Sequence, residues 1–272
     1  MKKSLFVICA VAIALSTIGC SKKNKPAATD AATDAVSALK ARGTFVLGLD
    51  ASFPPLGYTD DDGTIVGYDI DLAKEVAKRM GVSFKAQPID WDAKEMELNT
   101  NKIDCIWNGF TITEERKEAL SFTPAYLNNE QVLIVRADSG IKTLADMKGK
   151  VIGLQSGSSA QEAVEANQAF ASSVKETVYY KENVSALNDL EIGGVDGVVM
   201  DSVVGAYAIK TTGKNFVIVS EALANEEYGI GFRKSEPELR DAVWAILKEM
   251  QADGTVASIC AKWFSKDISV IK

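Results

Sequence analysis

Ile103-Asp104-Cys105-Ile106-Trp107-Asn108-Gly109-Phe110-Thr111-Ile112-Thr113-Glu114-Glu115-Arg116 is the stretch from which the fold can be read. Ile103 to Trp107 is a short apolar run, with the length and composition of a strand buried on both faces. Asn108 is then a polar residue delivered at the C-terminal end of that strand, and Thr113 to Leu120 reads as a helix carrying Arg116. The same device recurs in the second half of the chain. There a helix and a turn precede Val195-Asp196-Gly197-Val198-Val199-Met200-Asp201, which delivers Asp201 at a strand end. In open α/β sheets, ligands bind at that edge. Two such edges, one in each half, imply two lobes that face each other across a cleft.

Outward from these stretches, strands and helices alternate. Upstream, Phe45 to Leu49 is a strand. Tyr58 to Gly67 is a hairpin turning on Asp60-Asp61-Asp62-Gly63. Asp69 to Arg79 sets Ile70, Ala73, Val76 and Ala77 on one helical face and ends at Gly81. Val82 to Ala86 is a strand and Lys94 to Asn99 a helix. Downstream, Gln131 to Val135 and Lys150 to Leu154 are strands. The latter runs into Gln155-Ser156-Gly157-Ser158-Ser159, and a helix follows from Ala160. Val174 to Tyr180, Phe216 to Ser220 and Tyr228 to Phe232 are further strands. Val184 to Glu191, Ser202 to Ile209, Glu236 to Gln251 and Thr255 to Phe264 are helices. This alternation predicts parallel sheets flanked by helices.

The chain has 272 residues, 47% hydrophobic and 25% charged, enough for two domains or one large α/β domain. It contains no histidine. That excludes Ser-His-Asp and Cys-His catalysis, H-E-x-x-H metal sites and any imidazole proton relay. Cys9, Cys20, Cys105 and Cys260 include no C-x-x-C pair, so no metal site is expected. A net charge of −7 disfavours a nucleic-acid partner.

Residues 1–19 read as a signal peptide: Lys2 and Lys3, an apolar run from Leu5 to Leu15, then small residues. The run is too short to span a bilayer as a helix. Gly19-Cys20 resembles the lipobox of bacterial lipoproteins, with Thr17 where that motif usually has leucine. The resemblance implies cleavage before Cys20 and its lipidation, which would hold the protein to a membrane surface in the cell envelope. Residues 20–35 follow as a flexible tether rich in Ala, Thr, Asp and Lys, too poor in large apolar side chains to be ordered by burial.

Seven motifs in order resemble the solute-binding proteins of ABC transporters, in the branch for polar amino acids. They are Gly48-Leu49-Asp50-Ala51-Ser52-Phe53-Pro54-Pro55, Gly67-Tyr68-Asp69-Ile70-Asp71-Leu72-Ala73, Asp90-Trp91-Asp92, the 103–116 stretch, Gly153-Leu154-Gln155-Ser156-Gly157-Ser158-Ser159, the 195–201 stretch and Tyr228-Gly229-Ile230-Gly231-Phe232-Arg233-Lys234. The resemblance implies a type II periplasmic-binding-protein fold of the α/β class. Each lobe would be a mostly parallel sheet flanked by helices, and two crossing strands would join them. Lobe 1 would comprise residues 36–128 and 227–272, lobe 2 residues 131–224, and ligand would close them by a hinge motion. It implies a monomer without cofactors whose partners are a free amino acid and an ABC-type permease.

A free amino acid carries a carboxylate and an ammonium on one carbon, and each must find a partner before leaving water. By the resemblance, Arg116 holds the α-carboxylate with its planar fork. The backbone N–H groups of Thr111 and of Ser159, which opens a helix, assist it. Asp201 in the other lobe pairs the α-ammonium. Phe53 and Trp91 cover the aliphatic body. Asp50 lies near the ligand side chain, where it would favour an ammonium, guanidinium or amide group. Asn108, Gly109 and Thr111 complete the floor, and Gln155 and Ser158 are further ligand-binding residues. Each residue also has a plainer reading: Arg116 as a solvated helix face, Asp201 as a helix N-cap, Trp91 as a packing residue and Asp50 as a cap on the turn at Ser52. Trp107 and Phe110 read as core. Cys105 and Cys260, both expected in lobe 1, read either as a disulfide or as two inert buried thiols. Two other functions compete with capture for transport: an exported dehydratase on the same fold acting on a prephenate-like acid, and a ligand-sensing ectodomain.

Cys20→Ser is expected to release the protein from the membrane fraction; lipid label that still incorporates into this variant would contradict the anchor.

Overall fold

The structure, a computed structural model, describes residues 34–272. The expected signal peptide, Cys20 and nearly all of the tether lie outside these residues. In chain order the elements begin with α1 (Ala35–Arg42), β1 (Thr44–Leu49), β2 (Ser52–Phe53), β3 (Gly57–Thr59), β4 (Ile65–Val66), α2 (Tyr68–Met80), β5 (Ser83–Pro88) and α3 (Lys94–Asn99). Then come β6 (Cys105–Thr111), α4 (Glu114–Ala119), β7 (Leu120–Phe122), β8 (Leu127–Arg136), β9 (Val151–Gln155), α5 (Ser159–Ala166), α6 (Gln168–Ser173) and β10 (Glu176–Tyr180). The chain ends with α7 (Asn183–Ile192), β11 (Gly197–Asp201), α8 (Ser202–Thr212), β12 (Phe216–Arg233), α9 (Pro237–Ala252) and α10 (Thr255–Phe264).

Eight strands run in the order β10-β9-β11-β8-β12-β6-β1-β5, and β7 joins as a branch on β12. At one end β5, β1 and β6 are parallel; at the other β10, β9 and β11 are parallel. Between them β8 and β12 run antiparallel to each other and to their neighbours. This is a mixed α/β fold of two lobes, each built on a mostly parallel sheet, with β8 and β12 as the strands that cross from one to the other. The parallel strands are buried: every residue of β6 and of β11 is inaccessible, as continuous apolar runs under helices should be. The helices bury one face each. In α2 that face is Ile70, Ala73, Val76 and Ala77 with Leu72 and Met80, and Gly81 closes the helix in the left-handed conformation.

The structure departs from the sequence reading in three places. β6 continues past Trp107 to Thr111, where Asn108 Oδ1 accepts from the Asp50 N–H (3.0 Å) and the Gly109 N–H donates to Asp69 (2.8 Å), while Asn108 Nδ2 is buried without a protein partner. The two strands expected over 216–220 and 228–232 are one strand. Residues 221–227 lack an apolar pattern because their side chains are largely exposed, yet their backbone pairs with β8, with register shifts flanking Ala222. The helix at 113–120 is shorter, since Thr113 caps it through its side chain and Leu120 already belongs to β7. Cys105 and Cys260 are separate free thiols, both buried.

Asp69 ties the first lobe's core to β6. Its carboxylate is fully buried and accepts from the Gly109 N–H and from the Tyr126 hydroxyl (3.0 Å). Gly109 needs this anchor, because its φ of +56° lies in the left-handed region, and a Cβ there would stand 2.6 Å from Leu56. Burial pushes the Asp69 carboxyl up to about 7, against hydrogen bonds that lower it. A carboxyl raised on folding stabilises fully only below its unfolded value, about 3.9, and that contribution is lost as pH rises through about 7. The wild type should therefore lose stability relative to Asp69→Asn between about pH 4 and 7, by a few kcal/mol. Thermal melts across that range check this; a gap independent of pH would contradict it.

Candidate functional site

β6 and β11 end against the same crevice, one from each lobe. Asp50, Phe53, Trp91, Asn108, Gly109 and Arg116 line it from the first lobe, and Gln155, Ser158, Ser159 and Asp201 from the second. The free space left between them is only about 10 Å³, so the two lobes lie closed on each other here. Ten of the eleven residues singled out in the sequence thus meet at one place. The eleventh, Thr111, lies beside them and accepts a hydrogen bond from Ser159 Oγ at 3.1 Å.

Arg116 is not a solvated helix residue, being only 6% exposed. Its guanidinium lies over the Phe110 ring, 4.7 Å from the centroid, and Nη1 donates to the Thr111 carbonyl (3.0 Å). Nη2 reaches across to the second lobe, 3.4 Å from the Gly157 carbonyl and 3.3 Å from Glu162 Oε1. Burial pulls the guanidinium pKa down, while Glu162, Glu226 and Asp201 push it back up.

Asp201 occupies the N-cap position of α8, but its side chain makes no capping bond. Instead Oδ1 accepts from Asn129 Nδ2 (2.7 Å), Gln131 Nε2 (3.0 Å) and the Tyr228 hydroxyl (2.5 Å). Three donors on one oxygen fix the carboxylate and leave Oδ2 without a side-chain donor. Burial, and then the nearby Glu226, raise this carboxyl to about 7. Arg116 and Asp201 line one crevice, yet they form no ion pair with each other.

Asp50 does cap the turn, accepting from the Ser52 N–H at 2.8 Å. Its other oxygen accepts from Gln155 Nε2 (2.8 Å) in the opposite lobe, and Gln155 is held in turn by Asn183 and the Lys181 carbonyl. Burial raises the Asp50 pKa. Trp91 sits in a 3₁₀ turn, edge-on to Phe110 with centroids 5.7 Å apart, so it both packs and faces the crevice. Ser158 donates to the Gln155 carbonyl (2.6 Å), and Ser159 begins α5, where N–H groups have no intrahelical acceptor. Trp107 and Phe110 are fully buried core residues.

The sequence reading assigned no binding role to Lys94, Asn129, Gln131, Glu162, Glu226 or Tyr228. Lys94 is a buried cation donating to the Trp91 and Gly157 carbonyls; burial first, and then Arg116, lower its pKa to about 8. The Gly157 carbonyl thus accepts from both Lys94 and Arg116. Its residue must be glycine, with φ at +65° and Asp92 Oδ1 only 2.5 Å from where a Cβ would stand. Glu226 Oε2 accepts from Thr111 Oγ1 (3.0 Å), Asn129 Nδ2 (2.9 Å) and Gln131 Nε2 (3.0 Å). The one signal for these residues was position: Asn129, Gln131, Glu226 and Tyr228 all lie on the two crossing strands.

Residues 45–266 match the profile of the bacterial extracellular solute-binding proteins, family 3. The chain belongs to that family. It is 31% identical over 233 residues to the L-cystine-binding protein TcyJ of Escherichia coli K12, covering 85% of this chain and 86% of TcyJ. A substrate-binding protein of an ABC uptake transporter from Streptococcus pneumoniae, solved with bound histidine, superimposes with a TM-score of 0.84 at 36% identity, over 86% of this chain and 97% of that one. An ancestral arginine-binding protein bound to arginine gives 0.76 at 40% identity, over 82% and 99%.

Proposed function

We propose that this protein captures a free L-amino acid outside the cytoplasm and passes it to an ABC-type permease. The observation that carries the reading is the placement of unlike charges: Arg116 from one lobe and Asp201 from the other line one buried crevice without pairing with each other. An α-amino acid is a ligand whose two charges complement both. Its carboxylate binds Arg116, aided by the N–H groups of Thr111 and Ser159, and its ammonium binds Asp201. Phe53 and Trp91 cover the aliphatic body, Asn108 and Gly109 form the floor, and Ser158 closes the far wall. The side chain extends toward Asp50 and Gln155, which favours a basic or amide group; the cystine, histidine and arginine bound by the named relatives are of this polar kind.

A ligand held by one partner in each lobe has higher affinity for the closed arrangement and shifts the population toward it. Residues 36–128 with 227–272 move as one lobe and 131–224 as the other, about β8 and β12. Lipidation at Cys20 holds the protein beside its permease. The reading is of a binding protein rather than an enzyme, as the relatives named above are.

The test is a thermal-shift screen against the proteinogenic amino acids, ornithine and cystine. A true ligand at about a hundred times its Kd adds about 2.7 kcal/mol of stability, and a screen without a shift would refute the reading. Arg116→Ala is expected to weaken binding of the ligand so found by about 2–5 kcal/mol in calorimetry, because it strands a buried carboxylate; unchanged affinity would remove Arg116 from the site.

A further inference from the structure

Asp201 and Glu226 share their donors. Asn129 Nδ2 and Gln131 Nε2 each bridge Asp201 Oδ1 and Glu226 Oε2, with all four distances between 2.7 and 3.0 Å. Two carboxylates are therefore held side by side, Asp201 on the crevice and Glu226, half-buried, on the wide groove behind it. Among the described residues neither has an arginine or lysine within ion-pair distance, since Arg116 spends its reach on Glu162 and on two backbone carbonyls. The groups that close around the pair from β6, β8, α5 and α8 are neutral: Thr111, Asn129, Gln131, Ser159 and Ser202. Tyr228 on β12 donates to Asp201, and burial keeps its phenol protonated far above neutral pH. The nearest charges are Arg116 on α4 and Glu162 on α5. On the open side of Glu226, Glu114, Lys117, Glu130 and Glu227 face solvent in a wide groove.

We propose that Asp201, backed by Glu226, forms an ammonium-binding subsite that holds one proton on Asp201 when empty, and that seating a ligand ammonium there expels this proton. The proposal rests on the amino-acid capture inferred above and adds a residue and a proton to it. A buried carboxylate beside a second, half-buried one holds its proton unless a cation comes near. A proton supplies that cation when the subsite holds no ammonium. A primary ammonium brings one positive charge and three donors, enough to meet Asp201 Oδ2 and take over the proton's electrostatic role beside Glu226. Charge balances: one ammonium enters and one proton leaves to buffer. The direction of the Asp201 shift, upward through burial and then through Glu226, agrees. A secondary consequence is selectivity, since the ionised pair favours primary amines over ligands of the same shape without one.

Calorimetric titration of the full chain with L-arginine, L-lysine, L-glutamine and L-cystine tests this, because none of the four titrates near pH 6. At about pH 6, heats measured in phosphate and in imidazole buffer should differ by the ionisation enthalpy of the buffer times a release of about half to one proton per ligand. Wild-type affinity should rise by about tenfold or more between pH 6 and 8, and that of Glu226→Gln by less than about threefold. The glutamine keeps an acceptor for Thr111, and a thermal melt checks that the variant folds. A purely structural role for Glu226 would lower affinity equally at both pH values. Binding with no buffer dependence, or parallel pH profiles for the two proteins, would overturn the proton coupling while leaving amino-acid capture intact. No heat from any of the four probes would overturn capture and this inference together.

Discussion

Unlike charges kept apart inside one protein are the constraint around which this molecule is organised. Arg116 and Asp201 border the same small space, and in a medium of low polarity they would attract strongly if they could meet. They are prevented from meeting because each is fixed by other groups. The guanidinium lies on Phe110 and binds the Thr111 and Gly157 carbonyls. One oxygen of Asp201 is occupied by two amides and a phenol. Holding such charges open costs stability, and that cost is useful only if a dipolar ligand repays it.

The same fixing groups connect the site to the scaffold. Gln131 Nε2 donates to Ser159, Ser159 to Thr111, and Thr111 to Glu226, which also accepts from Gln131. This closed circuit passes through both lobes and both crossing strands. The lobe movement proposed above would therefore rearrange the groups nearest the crevice.

Much of this was legible in the sequence, and the division follows from what burial does to composition. Strands buried on both faces show as apolar runs, so β6 and β11 stand out, and with them Asn108, which lies within β6, and Asp201 at the end of β11. Asp50, Phe53, Trp91 and Arg116 were legible only through motif resemblance, because one aspartate or arginine beside a turn has no pattern of its own. Glu226, Asn129 and Gln131 were not legible. They lie on strands held by backbone pairing with side chains of mixed exposure, so neither period two nor an apolar run marks them. The burial of Arg116 was also hidden, since Thr-Glu-Glu-Arg reads as a surface helix until the second lobe is laid over it.

The pairing of β6 with β12 sets a long loop to close. Residues 105–111 lie against Tyr228 to Gly231, more than a hundred residues further along the chain, whereas β8, β9, β10 and β11 come from one stretch that ends at Asp201. Contacts of such sequence separation must meet the entropy of loop closure before they return any stability, so the join between β6 and β12 is the costly one in chain entropy.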